Sequence, residues 1–411
     1  MQGRFVDFLV IGRGPSAVSL QPSFYSRILM RIMIIMTINE QIAEGAKLIV
    51  LTQDTDEQIT VPKGVSLVLD LAGFTLRGDG VEHTILNNGT LRIIDSSIGL
   101  TGTIYNNVKS KACIFNNFGG LLVVDDATLT RGDVSYYCLH NWGENVTINH
   151  VKINISGNAA AISNGFYTPS KENPDKVFVS MVIKDADITT SGSPNACVKN
   201  DEYGVMAIMG GRYVSQSQYA VNSWNELSVT GGYFESVASK PLVCGSTPSS
   251  GGHCQLKITG GTFKGATGIM DDCSEGQTSG DYVAPVWAIT AGSYNTPIEA
   301  AFLGDTMEMS LLPDGTYGVA MVPKNKWKVV KAPTGPGLWG FLCGVYTKEK
   351  VDYTAGGIEL SFQSITPVAL LSVAAEGGVT GYLNGNKLQL FRGGAEVSGE
   401  IKNLTVAVIG H

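Results

Sequence analysis

The sequence carries six aspartates in short turns that could supply acid–base chemistry. These are Asp125, Asp126, Asp185, Asp187, Asp271 and Asp272. Two carboxyl groups held about 5–10 Å apart can act as acid and base on a glycosidic bond. Aspartate is also frequent in turns for a structural reason, because its side chain bonds to its own backbone. We find no aspartate pair aligned with a His or Arg of the neighbouring repeat, so we expect these side chains to shape turns rather than catalyse a reaction.

The histidines and cysteines indicate no metal centre. His140, His150 and His253 fall at positions that are not equivalent, and no Cys-x-x-Cys pair or Cys/His group has the spacing of metal ligands. The cysteine count is seven, which is odd, so the cysteines cannot all be paired with one another. We therefore expect reduced, mostly buried thiols, no bound metal and no cofactor.

Aromatic residues give a clearer signal for binding. They follow polar turns at what should be one edge of the fold, in segments such as NWGEN and NDEYG. The set consists of Phe118, Trp142, Phe166, Tyr167, Tyr203 and Trp224. Exposed rings stack on the C–H faces of sugars, while neighbouring Asn, Asp and Glu side chains bind the hydroxyl groups. The pattern predicts a carbohydrate-binding edge, and the alternative that these rings cover the flank of the fold or an oligomer contact stays open.

A recurring eight-residue frame must position these side chains. Its first and third residues are apolar or small, a turn-favouring residue stands near the fifth position, and the eighth residue is large and apolar. The nine copies span residues 69–76, 91–98, 122–129, 146–153, 181–188, 206–213, 227–234, 256–263 and 287–294. A shorter frame of a small residue, an aliphatic residue, a variable residue and Asn or a short substitute lies between them. It spans residues 84–87, 113–116, 138–141, 161–164, 197–200, 220–223, 243–246 and 268–271.

The two frames predict a parallel β-solenoid of about nine to ten coils. Alternation buries one face of each strand. Coils stacked about 4.8 Å apart then pair each strand with the coils above and below it. The eighth positions of the last four copies predict one internal aromatic stack of Tyr213, Phe234, Phe263 and Tyr294.

The shorter frame predicts two further internal columns. Its last position forms a ladder of amides at Asn87, Asn116, Asn141, Asn164 and Asn200. Amides stacked in this way hydrogen-bond along the axis. Its first position is a slot for small side chains, occupied by Cys113, Cys138, Ala161, Cys197 and Ala220. We therefore expect these cysteines to be structural.

The remaining segments flank the solenoid. We predict an N-terminal extension outside the fold at 1–35, an N-terminal cap with a short helix at 36–62, the β-helix at 63–297, a β-hairpin or end cap at 298–331 and an antiparallel β domain at 332–411. A stretch rich in Pro and Gly precedes the last domain, and alternating segments with an Asn-Gly turn follow it. The apolar run near the end of the extension is too short to span a membrane.

Composition supports a β-rich fold and excludes one class of partner. Fifty glycines and only 16% charged residues indicate many turns and little helix. The chain has 29 Lys and Arg against 36 Asp and Glu, a net charge of −7, and no basic run that could follow a phosphate backbone. We therefore expect no nucleic-acid partner and no membrane insertion.

Several segments resemble a known group of proteins. The stretches VSLVLDLAGFTLRG and NNGTLRIIDSS, the repeated GGYF and GGTF, and the stretch AGSYNTPIEAAFLG resemble right-handed parallel β-helix proteins of the pectin-lyase-like fold. The resemblance covers about residues 40–320 and is closest to bacteriophage tail or virion proteins and gut-bacterial surface proteins. It implies an all-β chain, a right-handed parallel β-helix followed by a small antiparallel β domain. It does not specify an activity, because this fold carries lyases, hydrolases, binders and structural spikes.

The resemblance and the aromatic edge together predict a virion structural or receptor-binding protein, of the tail spike or fibre type, that recognises a host cell-surface glycan. The resemblance further implies a homotrimer that contacts other virion proteins and is assembled in the host cytoplasm. Two alternatives stay open. One is a polysaccharide-degrading enzyme, either a lyase or a glycoside hydrolase, although the unaligned aspartates favour a protein that is not an enzyme. The other is a bacterial surface adhesin, located outside the cell or on its surface.

Overall fold

The chain winds into a parallel β-solenoid. The computed structural model describes residues 36–321 except 79, 133–135, 158, 167–176, 193–195, 246–252, 275–284 and 305–306. Beyond these it describes residues 328–331, 342–353, 358–359, 367–374, 379–384, 387–392, 395–397 and 399–410. Three sheets, which we name A, B and C, each take one strand from every coil. The predicted all-β parallel solenoid is therefore confirmed.

The strands of each sheet are short and evenly distributed along the chain. Sheet A contains Leu48–Val50, Ser66–Asp70, Thr90–Ile94, Leu121–Asp125, Asn145–Asn149, Val179–Ile183, Gly204–Ile208, Glu226–Val229, Gln255–Ile258 and Val286–Ile289. Sheet B contains Thr55–Asp56, Thr75–Arg77, Thr103–Asn106, Thr128–Arg131, Val151–Ile155, Ala186–Thr190, Arg212–Ser215, Tyr233–Ser236, Thr262–Gly265 and Ser293–Tyr294. Sheet C contains Ile59–Val61, Ile85–Asn87, Ile114–Asn116, Leu139–Asn141, Ile162–Asn164, Val198–Asn200, Val221–Ser223, Leu242–Cys244 and Met270–Asp272. About eight turns separate the first and last strands of sheet C, slightly fewer than the predicted coil count.

Both ends of the solenoid are covered. At the N-terminal end, the helix Ile38–Ala43 buries Ile38 and Ile42 against the first coil. A capping box starts this helix, because the Thr37 hydroxyl accepts a hydrogen bond from Glu40 N at 3.2 Å and the Glu40 carboxylate accepts one from Thr37 N at 2.8 Å. At the other end, after the short 3₁₀ turn Ala300–Phe302, the hairpin Met307–Leu311/Tyr317–Met321 pairs antiparallel with the last strand of sheet B.

The pairing register confirms the eight-residue frame from its third copy onward. The first frame positions, from Leu122 to Trp287, are paired in order through sheet A. The eighth positions, from Leu129 to Tyr294, are paired through sheet B. Inward side chains at both sets of positions form one continuous core along the solenoid. The strands of sheets A and B therefore stay in register although the loops between the repeats differ in length.

The first two copies of the frame need correction. Leu67 rather than Leu69 is paired with Leu91, and the partner of Leu76 is Ile104 rather than Ile98. Ile98 is fully exposed. The reason is turn length, because the first copy is two residues longer than the frame and the second is six residues longer. In the second copy the Asp95 carboxylate accepts hydrogen bonds from the backbone of residues 73, 97 and 102 and holds the longer turn. The frame misses this position because it assumes a turn of constant length.

The predicted internal aromatic stack is confirmed. Neighbouring ring centroids are 4.8–5.2 Å apart and their planes differ by 5–11° from Tyr213 through Phe234 and Phe263 to Tyr294. A glycine stands two positions before each ring and is the second of a Gly-Gly pair except before Tyr294. It has a steric cause. The second glycine, as at Gly232 and Gly261, has φ of +108° or +105°, and a Cβ there would lie 3.2 Å from the following ring. The recurring GGYF and GGTF segments therefore form the turn that places an aromatic ring in the core.

The amide ladder and the slot for small side chains are also as predicted. The side-chain amide of each asparagine donates to the carbonyl oxygen of the next at 2.6–2.9 Å, from Asn87 to Asn200. Ser223, Cys244 and Asp272 continue the column, so the last two short frames begin two residues and one residue away from their predicted starts. The cysteines and alanines of the slot are completely buried. Burial raises the pKa of the Cys197 thiol to about 12, as expected for an unreactive structural cysteine.

Antiparallel sheets follow the solenoid in sequence. One contains Lys328–Lys331, Leu342–Tyr353, Pro367–Ala374 and Gly399–Gly410. The other contains Ile358–Glu359, Thr380–Asn384 and Lys387–Arg392, with Ala395–Glu396 at its edge. Antiparallel pairing after the solenoid agrees with the predicted C-terminal fold class, whereas residues 1–35 and the Pro/Gly-rich stretch lie outside the described residues. In the described part of the chain, no helix is long and apolar enough to cross a membrane.

Candidate functional site

The outer face of sheet C carries a cluster of aromatic rings. We name it the ring platform, and it consists of Phe118, Trp142 and Phe166. Trp142 stacks on Phe166 with ring centroids 5.1 Å apart, and Phe118 stacks on Phe166 at 5.2 Å. Phe118 is 39% exposed and Trp142 is half-buried, so two rings reach solvent above the buried third ring. Each ring follows one of three successive asparagines of the ladder, and stacking of the coils brings the three together.

The other predicted aromatic residues do not belong to the ring platform. Tyr203 is only 2% exposed and packs with Phe166 in a small core behind the platform. The expectation that the whole set lies at the surface is therefore wrong for Phe166 and Tyr203, because the two rings pack with Val179 in this small core. Trp224 is half-buried and stands three coils from Trp142, about 14 Å along the axis at about 4.8 Å per coil. Tyr167 lies outside the described residues.

Polar side chains lie beside the platform on the same outer face. We name them the polar cluster, which consists of Tyr137, His140, Ser163, Lys199 and Asp201. His140, Ser163 and Lys199 are the middle residues of three successive strands of sheet C. Lys199 Nζ lies 2.5 Å from Asp201 Oδ1, and Ser163 Oγ donates to Asp201 Oδ2 at 3.2 Å. The His140 ring joins the two groups, because its centroid is 4.7 Å from that of Tyr137 and 5.1 Å from the indole of the platform.

Burial changes the ionisation of this cluster. Burial raises the pKa of Asp201, and the neighbouring Lys199 opposes the rise only in part. Burial is the largest influence on Lys199 and acts to lower its pKa, but the charges of Asp201, Tyr137 and Glu202 and the hydrogen bond to Asp201 together raise that pKa. Burial lowers the pKa of His140 to about 3. Folding does not require buried charges on the outer face of a sheet, and ionisable groups with shifted pKa values concentrate at functional sites.

A second arrangement lies at the corner between sheets A and B, where Asp126, His150 and Asp185 occupy the same position of three successive coils. We name these three residues the acid column. His150 Nδ1 lies 3.2 Å from Asp126 Oδ1, and His150 Nε2 lies 3.6 Å from Asp185 Oδ2. Asp126 and His150 have φ of +56° and +51°, left-handed values that make the sharp corner. The imidazole therefore stands between two carboxyl groups that come from different coils.

The acid column borders a cavity of about 570 Å³, which we name the corner groove. Its other charged side is formed by Lys152, Asp187 and Arg212, two residues further along three successive strands of sheet B. Arg212 Nη1 lies 3.3 Å from Asp187 Oδ1. Small residues, among them Ala127 and Ala186, lie between the two charged columns.

The acid column overturns one sequence-based expectation, namely that no aspartate pair is aligned with a His or Arg of the neighbouring repeat. Asp126 of the pair Asp125/Asp126, His150 and Asp185 all stand at the fifth position of successive copies of the eight-residue frame. The fifth positions of the frame therefore carry this signal in the sequence. The expectation is wrong because side chains at one frame position of a solenoid meet across coils.

The remaining aspartates of the predicted set have structural partners. Asp125 forms an ion pair with Arg92 at 3.0 Å on the outer face of sheet A. Asp271 forms one with Lys240 at 2.9 Å, and Asp272 ends the amide column. Among the residues that the structure describes, no group of three or more His, Cys, Asp or Glu side chains is arranged to hold a metal ion.

Comparison with known proteins assigns no family. No protein family, no curated protein and no solved structure matches this chain.

Proposed function

We propose that this chain is a glycan-recognising β-helix protein of the virion receptor-binding type, and that the ring platform is its binding surface. The observation that carries the proposal is the platform itself, with two solvent-facing rings next to a charged polar cluster on sheet C. Sugars stack their C–H faces on aromatic rings, and polar side chains bind their hydroxyl groups. Because the platform rings already stack on one another, little ordering accompanies binding.

The binding test compares wild type with Phe118→Ala and Trp142→Ala on a panel of bacterial surface glycans, followed by calorimetry on the best ligand. We expect each substitution to weaken binding about tenfold, because truncation of a central aromatic residue at an interface costs more than 1 kcal/mol. Tyr105→Ala is the matched control, since Tyr105 is a half-buried ring on the outer face of sheet B. Unchanged glycan binding by the Phe118/Trp142 double variant would remove the platform as the binding surface.

The virion part of the proposal includes a homotrimer that contacts other virion proteins. Three parallel solenoids bury flanks that one chain leaves exposed, which supports a closed trimer. Light scattering should then give three times the mass of the chain, and peptides of this chain should be found in purified particles. A monomer in solution contradicts the spike arrangement, and absence from particles contradicts the virion assignment.

A second candidate function, cleavage of a polysaccharide, is favoured by the acid column. Asp126 and Asp185 come from coils two steps apart, about 9.6 Å along the axis, with His150 between them. Carboxyl groups about 6.5–9.5 Å apart are typical of glycosidases that invert the anomeric centre. In this function one carboxyl group protonates the leaving oxygen, and the other activates a water molecule.

Cleavage is tested by incubating the protein with the glycans that it binds and measuring new reducing ends. We expect wild type to release them, and Asp126→Asn and Asp185→Asn each to lower the rate at least a hundredfold. Asp125→Asn serves as the control because its carboxyl group is engaged by Arg92 outside the groove. Equal product with wild type and both groove variants excludes cleavage at this site.

A further inference from the structure

We propose that the corner groove is a second recognition site, and that it binds a saccharide carrying a free amino group. The inference rests on the proposed function for its ligand class, a saccharide. The preference for an ammonium group comes from the groove alone. No residue of the groove belongs to the ring platform, and the two lie on different sheets of the solenoid.

The first step is the charge balance around His150. Its two ring nitrogens face two carboxylates, Asp126 at 3.2 Å and Asp185 at 3.6 Å. An imidazole ring carries at most one positive charge, even when both of its nitrogens donate hydrogen bonds. One ring therefore cannot neutralise two carboxylates, and the acid column is an incompletely neutralised anionic surface.

The second step is access. The side chains of Asp126 and Asp185 are 33% and 46% exposed, so both can be reached from the groove. An ammonium group has three N–H donors, and hydrogen bonds from a cation to a carboxylate are about twice as strong as neutral ones. An amino group placed beside His150 can donate to one carboxylate and is attracted electrostatically by the other.

The third step is orientation. Arg212 already engages Asp187 at 3.3 Å, so the carboxylate on the far side of the groove is neutralised. Lys152 stands on that same side, in register with Asp187. Positive charge there repels an ammonium group and directs it to the acid column. The groove is thus anionic on one side and basic on the other.

The fourth step is size. A volume of about 570 Å³ lies within the range of small-ligand pockets and has room for one or two sugar rings. Between the columns, Ala127 and Ala186 turn their side chains into the core, so a sugar ring can approach their backbone. An N-acetylated sugar offers an uncharged amide in place of the ammonium group, so it loses the charge-assisted bonds to the acid column.

The experiment is calorimetric titration of the full chain with a glucosamine tetrasaccharide and, as the matched ligand, its fully N-acetylated form, at pH 6.5. We expect the free-amine form to bind at least tenfold more tightly. Asp126→Asn and Asp185→Asn should each weaken that binding about tenfold and leave the N-acetylated form unchanged. Asparagine tolerates the left-handed backbone at position 126, and circular dichroism with a thermal melt checks that each variant is folded.

Asp125→Asn is the matched control, because it removes the same charge one residue away while its carboxylate faces Arg92 on sheet A. Equal affinity for the two tetrasaccharides overturns the inference. An equal loss in Asp125→Asn and Asp126→Asn also overturns it, because the effect is then general electrostatics.

The platform variants separate this inference from the proposed function. If the amine preference is present while Phe118→Ala and Trp142→Ala bind all glycans like wild type, the groove site stands and the platform proposal fails. If those variants lose glycan binding while wild type shows no amine preference, the platform stands and the groove inference fails.

Discussion

At the residue scale, His140 is a titratable side chain that is largely removed from water. It is 6% exposed, its Nδ1 lies 3.0 Å from the Tyr136 hydroxyl, and its ring contacts both the ring platform and the polar cluster. Burial also raises the pKa of Tyr136 to about 12, so this contact stays neutral over the accessible pH range. A histidine held neutral inside an aromatic cluster couples the candidate binding face to acid stability.

We predict that His140 makes the fold sensitive to acid. Its pKa is lowered to about 3 in the folded chain, chiefly by burial, against about 6.5 when unfolded. Between these two values the unfolded state binds the extra proton, so this contribution is complete above pH 6.5 and is lost as pH falls toward 3. Denaturant unfolding at pH 7, 6 and 5 should show wild type losing about 1.4 kcal/mol more per pH unit, once below 6.5, than His140→Gln. Parallel pH profiles for the two proteins contradict this assignment.

At the element scale, the amide ladder ties sheet C together at its edge. Asn141 accepts from the amide of Asn116 at 2.8 Å, donates to Asn164 at 2.8 Å and accepts from the backbone N–H of Gly143 at 2.9 Å. All the ladder asparagines are completely buried, so each broken link leaves polar atoms without water. The ladder also sets where the turns of the ring platform begin.

We therefore predict that Asn141→Ala lowers the free energy of unfolding by about 2–4 kcal/mol, because it leaves buried donors and acceptors on both sides unpaired. Asn154→Ala in the same coil is the control, since Asn154 is exposed on the outer face of sheet B and should change stability by less than about 0.5 kcal/mol. Urea denaturation measures both. A small loss in Asn141→Ala means that water enters the ladder and replaces the missing amide.

At the scale of the whole molecule, the solenoid is a stack in which each coil contacts mainly its neighbours. Its stability is then the sum of coil and interface contributions, and the open ends are the vulnerable points. The N-terminal helix covers one end with Ile38 and Ile42, and an antiparallel hairpin covers the last strand of sheet B. These caps keep a chain of repeated strands from pairing with other chains.

We predict that Ile42→Asp uncovers the N-terminal end of the core. A buried unpaired carboxylate in place of an apolar side chain should lower the melting temperature by at least about 5 °C and promote association in size-exclusion chromatography. Ala43→Asp introduces the same charge at the adjacent exposed position and should behave like wild type. If the two variants melt and elute alike, the helix is not a cap.

The residues of the candidate site could largely be predicted from the sequence, but their solvent exposure could not. The aromatic residues were predicted as one edge, and Phe118, Trp142 and Phe166 do meet. Phe166 and Tyr203 are buried because they pack with Val179 in one small core, and contacts between residues of different elements do not follow from the strand frame. The three residues of the acid column also share one frame position, but they form a site only through contacts between coils.

The repeating parts of this protein follow from its sequence. Residues at one frame position must stack when coils pair at a constant rise, so the aromatic stack, the amide ladder and the small-residue slot follow from periodicity alone. The course of the irregular turns is visible only in the folded chain. There Tyr203 is buried, Ile98 is exposed and His150 lies between two carboxylates. The physical reason is that a turn's course depends on its length and on the coils next to it, and neither is encoded in the alternation of a single strand.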